Sequence, residues 1–426
     1  MISHQPSLLV LSGVQGDPRR YRVFNLCEQA RLANLDCQLS HVTDPAIREK
    51  IIAAEIVIIH RAAYDRLIAW IIDELRRKDG ILIFDVDDLV FDLEAIKFIQ
   101  SPDFADPVRY SLYQENVQLT HKTLEFSNFV TTTGEFLVQR VQQLGKQAFV
   151  HRNAFSFEML TCSEQAYLKQ RTSHGQVVIG YASGTPTHDQ DFALVKPALR
   201  SILNRHPEAE LVLVGAVDPG GDWGDLESRI NRIRRLPWRK LPEIQAQFDI
   251  NLAPLQIDNP FGQSKSEIKY VEAALLRIPT VASPSEAFSY AIRSGDNGFL
   301  AKDNQEWEEV LERLISQPGL RRSIGEQAYE DAQQRYHPRL RARELVMMLE
   351  EMLNQKLGPA HEPLGVDSDI FVTGSTACDS AILDRDPTLL QRGLYTLRYR
   401  NLLTLLKYIW IYFRRMVAPI FPYQVP

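Results

Sequence analysis

The sequence predicts an α/β protein of two successive domains, each a parallel sheet covered by helices on both faces, with a helical extension at its C-terminal end. Three observations carry that prediction. Short apolar runs of strand length alternate with stretches of helical periodicity, the pattern of parallel strands joined by crossover helices. The alternation runs to about residue 150 and restarts at Gln176-Val-Val-Ile-Gly-Tyr181. At 426 residues the chain is also too long for one average core.

In the first half, Leu8 to Ser12 reads as a buried strand entering a loop with Gly13, Gly16 and Pro18. Tyr21 to Leu35 has helical periodicity. Glu55 to Ile59, Ile81 to Phe84 and Phe129 to Thr132 read as strands, with helices at Asp65 to Arg77 and Glu135 to Leu144. In the second half, strands are expected at Glu210 to Val214, Asp249 to Ala253, Ile278 to Ala282 and Gly298 to Ala301. Helices fit between them at Asp189 to Asn204, Leu241 to Phe248, Ser264 to Leu276 and Glu306 to Ser316. Pro338 suits the start of a helix over Arg339 to Leu357. Gly358 to Asp386, rich in Pro, Gly, Ser and Asp, reads as a linker. The expected divisions are 1–152, 153–357, a linker at 358–389 and a basic amphipathic tail at 390–426.

Composition narrows the class. Hydrophobic residues make up 45% and charged residues 24%, ordinary for a globular protein, and the net charge of -6 argues against coating nucleic acid. The four cysteines lack metal-ligand spacing and fit a reducing compartment. Met1-Ile-Ser-His-Gln-Pro-Ser has no basic segment of a secretory signal, so a cytoplasmic location is the expectation.

The most informative stretch is Pro260 to Ser283. It reads as a polar loop, a helix opening at Ser264 and a short buried strand from Pro279 to Ala282. Lys265 and Lys269 share one helix face with Glu272, opposite a stripe of Ile268, Val271, Ala274 and Leu275. That layout suits a ligand site at a sheet edge, or a solvated face in which Lys265, Glu267, Lys269 and Glu272 pair with one another. Ile179 to Phe192 is a strand, a small-residue loop and a helix start. Gly184 allows close backbone approach, and the free N–H groups at such a start suit a diphosphate; an ordinary capped turn looks the same. His60 follows a strand at its carboxyl edge, where α/β proteins bind ligands and where structural histidines also occur. Arg61 and Tyr64 follow it and would line the same edge.

The Pro260 to Ser283 block, Gly295-Asp-Asn-Gly-Phe-Leu300, and Ser183-Gly-Thr with Thr187-His188 and Asp191-Phe192 together resemble the donor-binding half of retaining glycosyltransferases of family 4. That resemblance implies two Rossmann-like domains facing a cleft, the GT-B architecture, with Asn153 at the connection between them. It implies transfer of a sugar, with retention, from a nucleotide diphosphate sugar to a hydroxyl acceptor on a glycan or lipid, in polysaccharide, glycan or glycolipid synthesis. Glu272 aligns with the second Glu of the family's paired-glutamate motif, implied to hold the donor's ribose. The first Glu falls at Ser264, which moves a donor-sugar contact towards Glu267. The basic pair that members carry in the first loop has no counterpart between Gly180 and Lys196. Ser183, Gly184, Thr185, His188 and Lys265 are left to stabilise the diphosphate, with Lys269 beside them. Trp238 sits where members pass the nucleobase, to stack on it or to pack in the core. His60 matches a recurrent active-site position. The chemistry implied needs no metal and no cofactor beyond the donor substrate.

Two other readings stay open. Phe84-Asp-Val-Asp-Asp88 resembles the nucleophile motif of haloacid-dehalogenase-type phosphatases, with Asp85 attacking phosphorus and Asp87 as acid/base. Alternatively, the fold is kept as a binding module without turnover. In the tail, one long helix is expected from Leu394 to Val417, with a broad apolar surface interrupted by Arg398, Arg400, Lys407, Arg414 and Arg415. Such a basic, Trp- and Tyr-bearing helix suits an anionic membrane surface or docking onto protein.

Overall fold

The computed structural model describes residues 6–99, 102–169, 175–184, 188–218, 220–221, 223–357 and 387–417. Thr185, Thr187 and nearly all of the expected linker lie outside the described residues.

The first sheet is built from β1 (Leu8–Ser12), β2 (Cys37–His41), β3 (Ile56–His60), β4 (Ile81–Val86), β5 (Phe129–Thr132) and β6 (Ala148–Val150). Their order is β2-β1-β3-β4-β5-β6, every pair parallel. The second is built from β7 (Val177–Ser183), β8 (Ala209–Gly215), β9 (Ile230–Ile233), β10 (Ile250–Ala253), β11 (Thr280–Ala282) and β12 (Phe299–Leu300). Their order is β12-β11-β10-β7-β8-β9, again all parallel. In each sheet the order reverses beside the first strand, which leaves a crevice at the carboxyl ends. The parallel register sets Ser12 beside His60, His60 beside Asp85 and Asp85 beside Thr131, so polar residues collect along that edge.

The strands that sequence patterning finds are continuous aliphatic runs buried on both faces, such as Leu8–Ser12 and Ile81–Val86. Three strands escape it. Cys37–His41 and Ile230–Ile233 mix polar with apolar residues because they form sheet edges, and Ala148–Val150 is only three residues long.

Two expected helices beside the sheets' carboxyl edges differ. The helix expected from Tyr21 begins at Asp17–Arg19, passes through a π-type turn at Arg20–Phe24 and continues as Asn25–Leu32. The helix expected from Ser264 is instead two, Pro260–Gln263 and Ile268–Ala274. Asn259 caps the first through Phe261 N, Ser264 closes it, and Lys265 therefore stands in the connection and not on the face of Lys269 and Glu272.

The helix Pro338–Leu357 returns to the first sheet. Its Ala342, Leu345, Leu349 and Met352 pack with Leu8, Val10, Leu26 and Ile58, and Lys356 Nζ donates to Asp79 O at 2.9 Å. The tail is likewise two helices, Leu389–Tyr399 and Leu402–Val417. The break falls at Arg400, whose φ and ψ of -105° and -103° are not helical; Asn401 then restarts the helix by accepting from Thr404 N at 2.7 Å.

Candidate functional site

A cleft of about 560 Å³ lies between the carboxyl edges of the two sheets and is lined from both. Its volume is within the range of small-ligand sites. Close backbone approach shapes it. Gly215, at the end of β8, has φ +95°, and a Cβ there would meet Ser183 O at 2.0 Å.

One wall group is aromatic and mixed in charge. The Arg20 guanidinium lies over the Trp238 ring at 4.7 Å and over the Tyr21 ring at 4.5 Å. Tyr21 donates its hydroxyl to Glu272 Oε1, and Arg20 Nη2 stands 3.8 Å from the same oxygen. Burial, with the neighbouring Glu272 carboxylate, pushes the Tyr21 hydroxyl far above its usual titration range, so it stays a donor. Asp17 from the first domain accepts from Arg235 of the second at 3.1 Å.

The opposite group is built on Asp87 and Asp88 at the end of β4. Lys265 Nζ donates to Asp88 Oδ2 at 2.7 Å and Ser264 Oγ to Asp88 Oδ1 at 3.0 Å. Arg61, in a left-handed conformation at φ 49°, donates to Asp87 and stands 3.6 Å from Asp88. Burial works against ionisation of both carboxyls, yet Arg61 with His60 holds Asp87 well below the usual range, and Lys265 with Arg61 lowers Asp88. Asn153 joins the two domains here, donating to Ser266 Oγ at 3.0 Å and accepting from Arg22 at 3.2 Å.

His188 and Lys269 belong to the same cleft, with Ser183 and Gly184. His188 precedes the helix Asp189–Arg205, its Nδ1 2.8 Å from Asp191 Oδ2, while Asp191 Oδ1 accepts from Gln256 N at 2.8 Å. Burial, reinforced by Lys269 and Lys265, moves the His188 pKa down despite that carboxylate. Lys269 donates to the Ala182 carbonyl and lies 4.9 Å over the Tyr181 ring; burial lowers its pKa.

The structure thus brings together Ser183, Gly184, His188, Trp238, Lys265, Lys269 and Glu272. Two expected residues are elsewhere. His60 is fully buried with Nε2 2.9 Å from Asp87 Oδ1; it supports Asp87 and does not line the cleft. Glu267 is also buried, accepting from Tyr336 at 3.1 Å with Arg152 at 3.6 Å, so it does not face a donor sugar. Burial pushes its carboxyl up.

The phosphatase reading fails on Asp85. That carboxylate has no exposed surface: Arg22 Nε donates to Oδ1 at 2.9 Å, and Arg22 Nη2 and Thr131 Oγ1 both donate to Oδ2. A nucleophile needs an open line of approach, and Asp85 is spent on a buried ion pair. Among the described residues, no group of three or more His, Cys, Asp or Glu side chains is arranged to hold a metal ion.

Sequence reasoning missed the cleft residues of Asp17 to Tyr21. A signal was present. Three arginines, Arg19, Arg20 and Arg22, cluster at a helix start, where the dipole disfavours cations, and such a cluster needs anionic partners.

Residues 194–347 match the family described as "Glycosyl transferase-like". No curated protein matches the chain. Among solved structures, sucrose-phosphate synthase from Thermosynechococcus elongatus is similar at 14% identity and a TM-score of 0.56, over 82% of this chain and 100% of that one. The Anabaena protein HepE in complex with UDP-glucose gives 14% identity and a TM-score of 0.54, over 82% and 100%. A glycosyltransferase from Rickettsia africae gives 12% and 0.55, over 82% and 99%. At these identities the likeness is one of fold, the GT-B arrangement of two parallel sheets around a cleft.

Proposed function

We propose that this chain transfers a sugar from a nucleotide diphosphate sugar to a hydroxyl acceptor, with retention, in the synthesis of a polysaccharide, glycan or glycolipid on the cytoplasmic side. One observation carries the reading: a single cleft joins an aromatic ring and a carboxylate, Trp238 and Glu272, to the cations Lys265 and Lys269 and to Gly184 and His188. A nucleoside needs a flat apolar face and an acceptor for its ribose diol; a diphosphate needs cations and N–H groups. The match of residues 194–347 to a glycosyltransferase-like family supports the same assignment.

In this reading Glu272 takes the ribose, Trp238 flanks the base, and Lys265, His188 and the Ser183–Gly184 backbone meet the diphosphate. The acceptor oxygen attaches to the anomeric carbon on the face from which the diphosphate oxygen departs, and its proton passes to that departing oxygen. Positioning and stabilisation of the leaving diphosphate supply the rate, without a covalent nucleophile or a cofactor. The bound ligand of the Anabaena structure makes UDP-glucose the donor to test first.

The experiment is to incubate the protein with a panel of nucleotide diphosphate sugars, follow release of nucleoside diphosphate, and read the product's anomeric configuration by NMR. Inverted product would remove retention. Binding without turnover would favour a binding module instead, a reading that Glu267, sealed beneath Tyr336 and Arg152, also supports.

A further inference from the structure

The two C-terminal helices are docked by one face and open on the other. Their inner side rests on the first domain. Tyr399 is buried in the cluster with Leu67, Ile71 and Leu75, Tyr395 donates to Asp65, Arg400 reaches Asn116 Oδ1 at 3.4 Å, and Lys407 stands 3.9 Å from Glu115. Docking of the inner side leaves the outer side uncovered. Twelve exposed large apolar side chains fall between Leu389 and Phe413, against nine along all the other described residues.

They are ordered. On the helix Leu402–Val417, the exposed Leu402, Leu406, Ile409 and Phe413 follow the i, i+4, i+7, i+11 spacing of one face, with Leu403 and Trp410 on its flank. On the helix Leu389–Tyr399, Leu390, Leu394 and Leu397 repeat the i, i+4, i+7 pattern. A contiguous apolar face of this kind on a water-soluble surface marks an interaction site. Its charge selects the partner. In a chain of net charge -6, residues 387–426 contain no Asp or Glu and six cations: Arg392, Arg398, Arg400, Lys407, Arg414 and Arg415. Trp410, Tyr408 and Tyr412 are exposed beside the aliphatic face, the residue types that settle at a lipid–water boundary. Among the described residues no helix is long and apolar enough to cross a membrane.

We propose that this helix pair is a surface-binding device for an anionic lipid bilayer. Its leucines, Ile409, Trp410 and Phe413 enter the headgroup–acyl boundary while the exposed Arg392 and Arg398 meet lipid phosphates. Because the pair is fixed to the first domain through Tyr399 and Asp65, the bilayer holds that domain, and with it the cleft, at a set orientation. The inference goes beyond sugar transfer and does not depend on it.

The test is co-sedimentation of the full chain with vesicles of phosphatidylglycerol and phosphatidylcholine, or of phosphatidylcholine alone. Binding is expected to the anionic vesicles and to fall at least tenfold on the neutral ones. Leu403→Glu/Leu406→Glu/Phe413→Glu, all at exposed positions, should also lose at least tenfold, with an unchanged unfolding midpoint. Arg392→Glu/Arg398→Glu should lose about tenfold at low salt. Failure of the full chain to bind anionic vesicles overturns the proposal, as does equal binding by the triple variant. If the full chain ignores vesicles and the triple variant turns a dimer into a monomer in light scattering, a second copy covers the face and the proposal is wrong.

Discussion

Lys265 Nζ donates to Asp88 Oδ2 at 2.7 Å, although the two residues are 177 positions apart and stand at the edges of different sheets. Ser264, immediately before the lysine, donates to the other oxygen of the same carboxylate at 3.0 Å. The first domain therefore places a carboxylate against the Ser264-Lys265 pair, while Glu267 is sealed in the interior beneath Tyr336. This contact between the two sheets sets the position of the cation expected at the diphosphate.

Lys265→Ala should lower kcat by at least tenfold and raise the donor KM by less than about threefold, because charge builds on the diphosphate only as the bond breaks. Initial rates over a donor series measure the split. An effect on KM alone would confine Lys265 to binding.

Glu272→Ala should weaken donor binding by about 1–3 kcal/mol with little change in folding, since a buried diol would lose its acceptor. Titration calorimetry with donor reads this directly. Tyr21→Phe removes the hydroxyl that Glu272 accepts from and keeps the ring, and should leave donor affinity within a few-fold of the parent. Unchanged affinity in Glu272→Ala would leave the carboxylate as no more than Tyr21's partner.

Donor binding should take up protons near neutral pH. Burial holds the His188 pKa below its usual value in the free protein, so the ring is neutral at pH 7, and an anionic diphosphate beside it raises that pKa. The complex then binds more protons than the free protein, and donor affinity rises as pH falls across the interval between the two values. Calorimetry in buffers of different ionisation enthalpy should show uptake in the parent and none in His188→Asn. Equal uptake in both would clear His188 of the role.

Asp87 and Asp88 set a limit at low pH. Both carboxyls are held below the unfolded value of about 3.9, Asp87 chiefly by Arg61 and His60 against its burial, Asp88 by Lys265 and Arg61. The unfolded chain thus takes protons at higher pH than the folded one. Their contribution is fully present above about pH 4 and is lost as pH falls through the lower folded-state values. Asp87→Asn should be less stable at pH 7 by on the order of 3 kcal/mol, since Arg61 and His60 lose their anion. Its unfolding midpoint should also fall less steeply than the parent's between pH 5 and 3; parallel slopes would mean other carboxylates dominate.

How much of this was legible follows from what each residue depends on. Strands such as Leu8–Ser12 and Ile56–His60 declare themselves because burial on both faces demands unbroken aliphatic residues. Edge strands such as Cys37–His41 do not, since a strand paired on one side only admits polar residues. Lys265, Lys269, Glu272 and His188 were readable because they sit in local motifs beside strand ends. The Arg20–Tyr21–Glu272 arrangement was not, because it spans 251 positions and exists only when the domains meet. His60 and Glu267 were misplaced for a related reason: spacing sets the backbone position of a side chain, and tertiary partners, here Asp87 and Tyr336, set whether it faces the cleft.

In the proposed reading the cleft binds a nucleotide diphosphate sugar between Trp238, Glu272 and Lys265. Calorimetric titration of a panel of such donors, UDP-glucose first, into the parent and Glu272→Ala tests it most directly. Saturable one-to-one binding of at least one donor by the parent is expected, weakened by about 5- to 150-fold in the variant. No binding of any donor by the parent, or equal affinity in the two proteins, would contradict it.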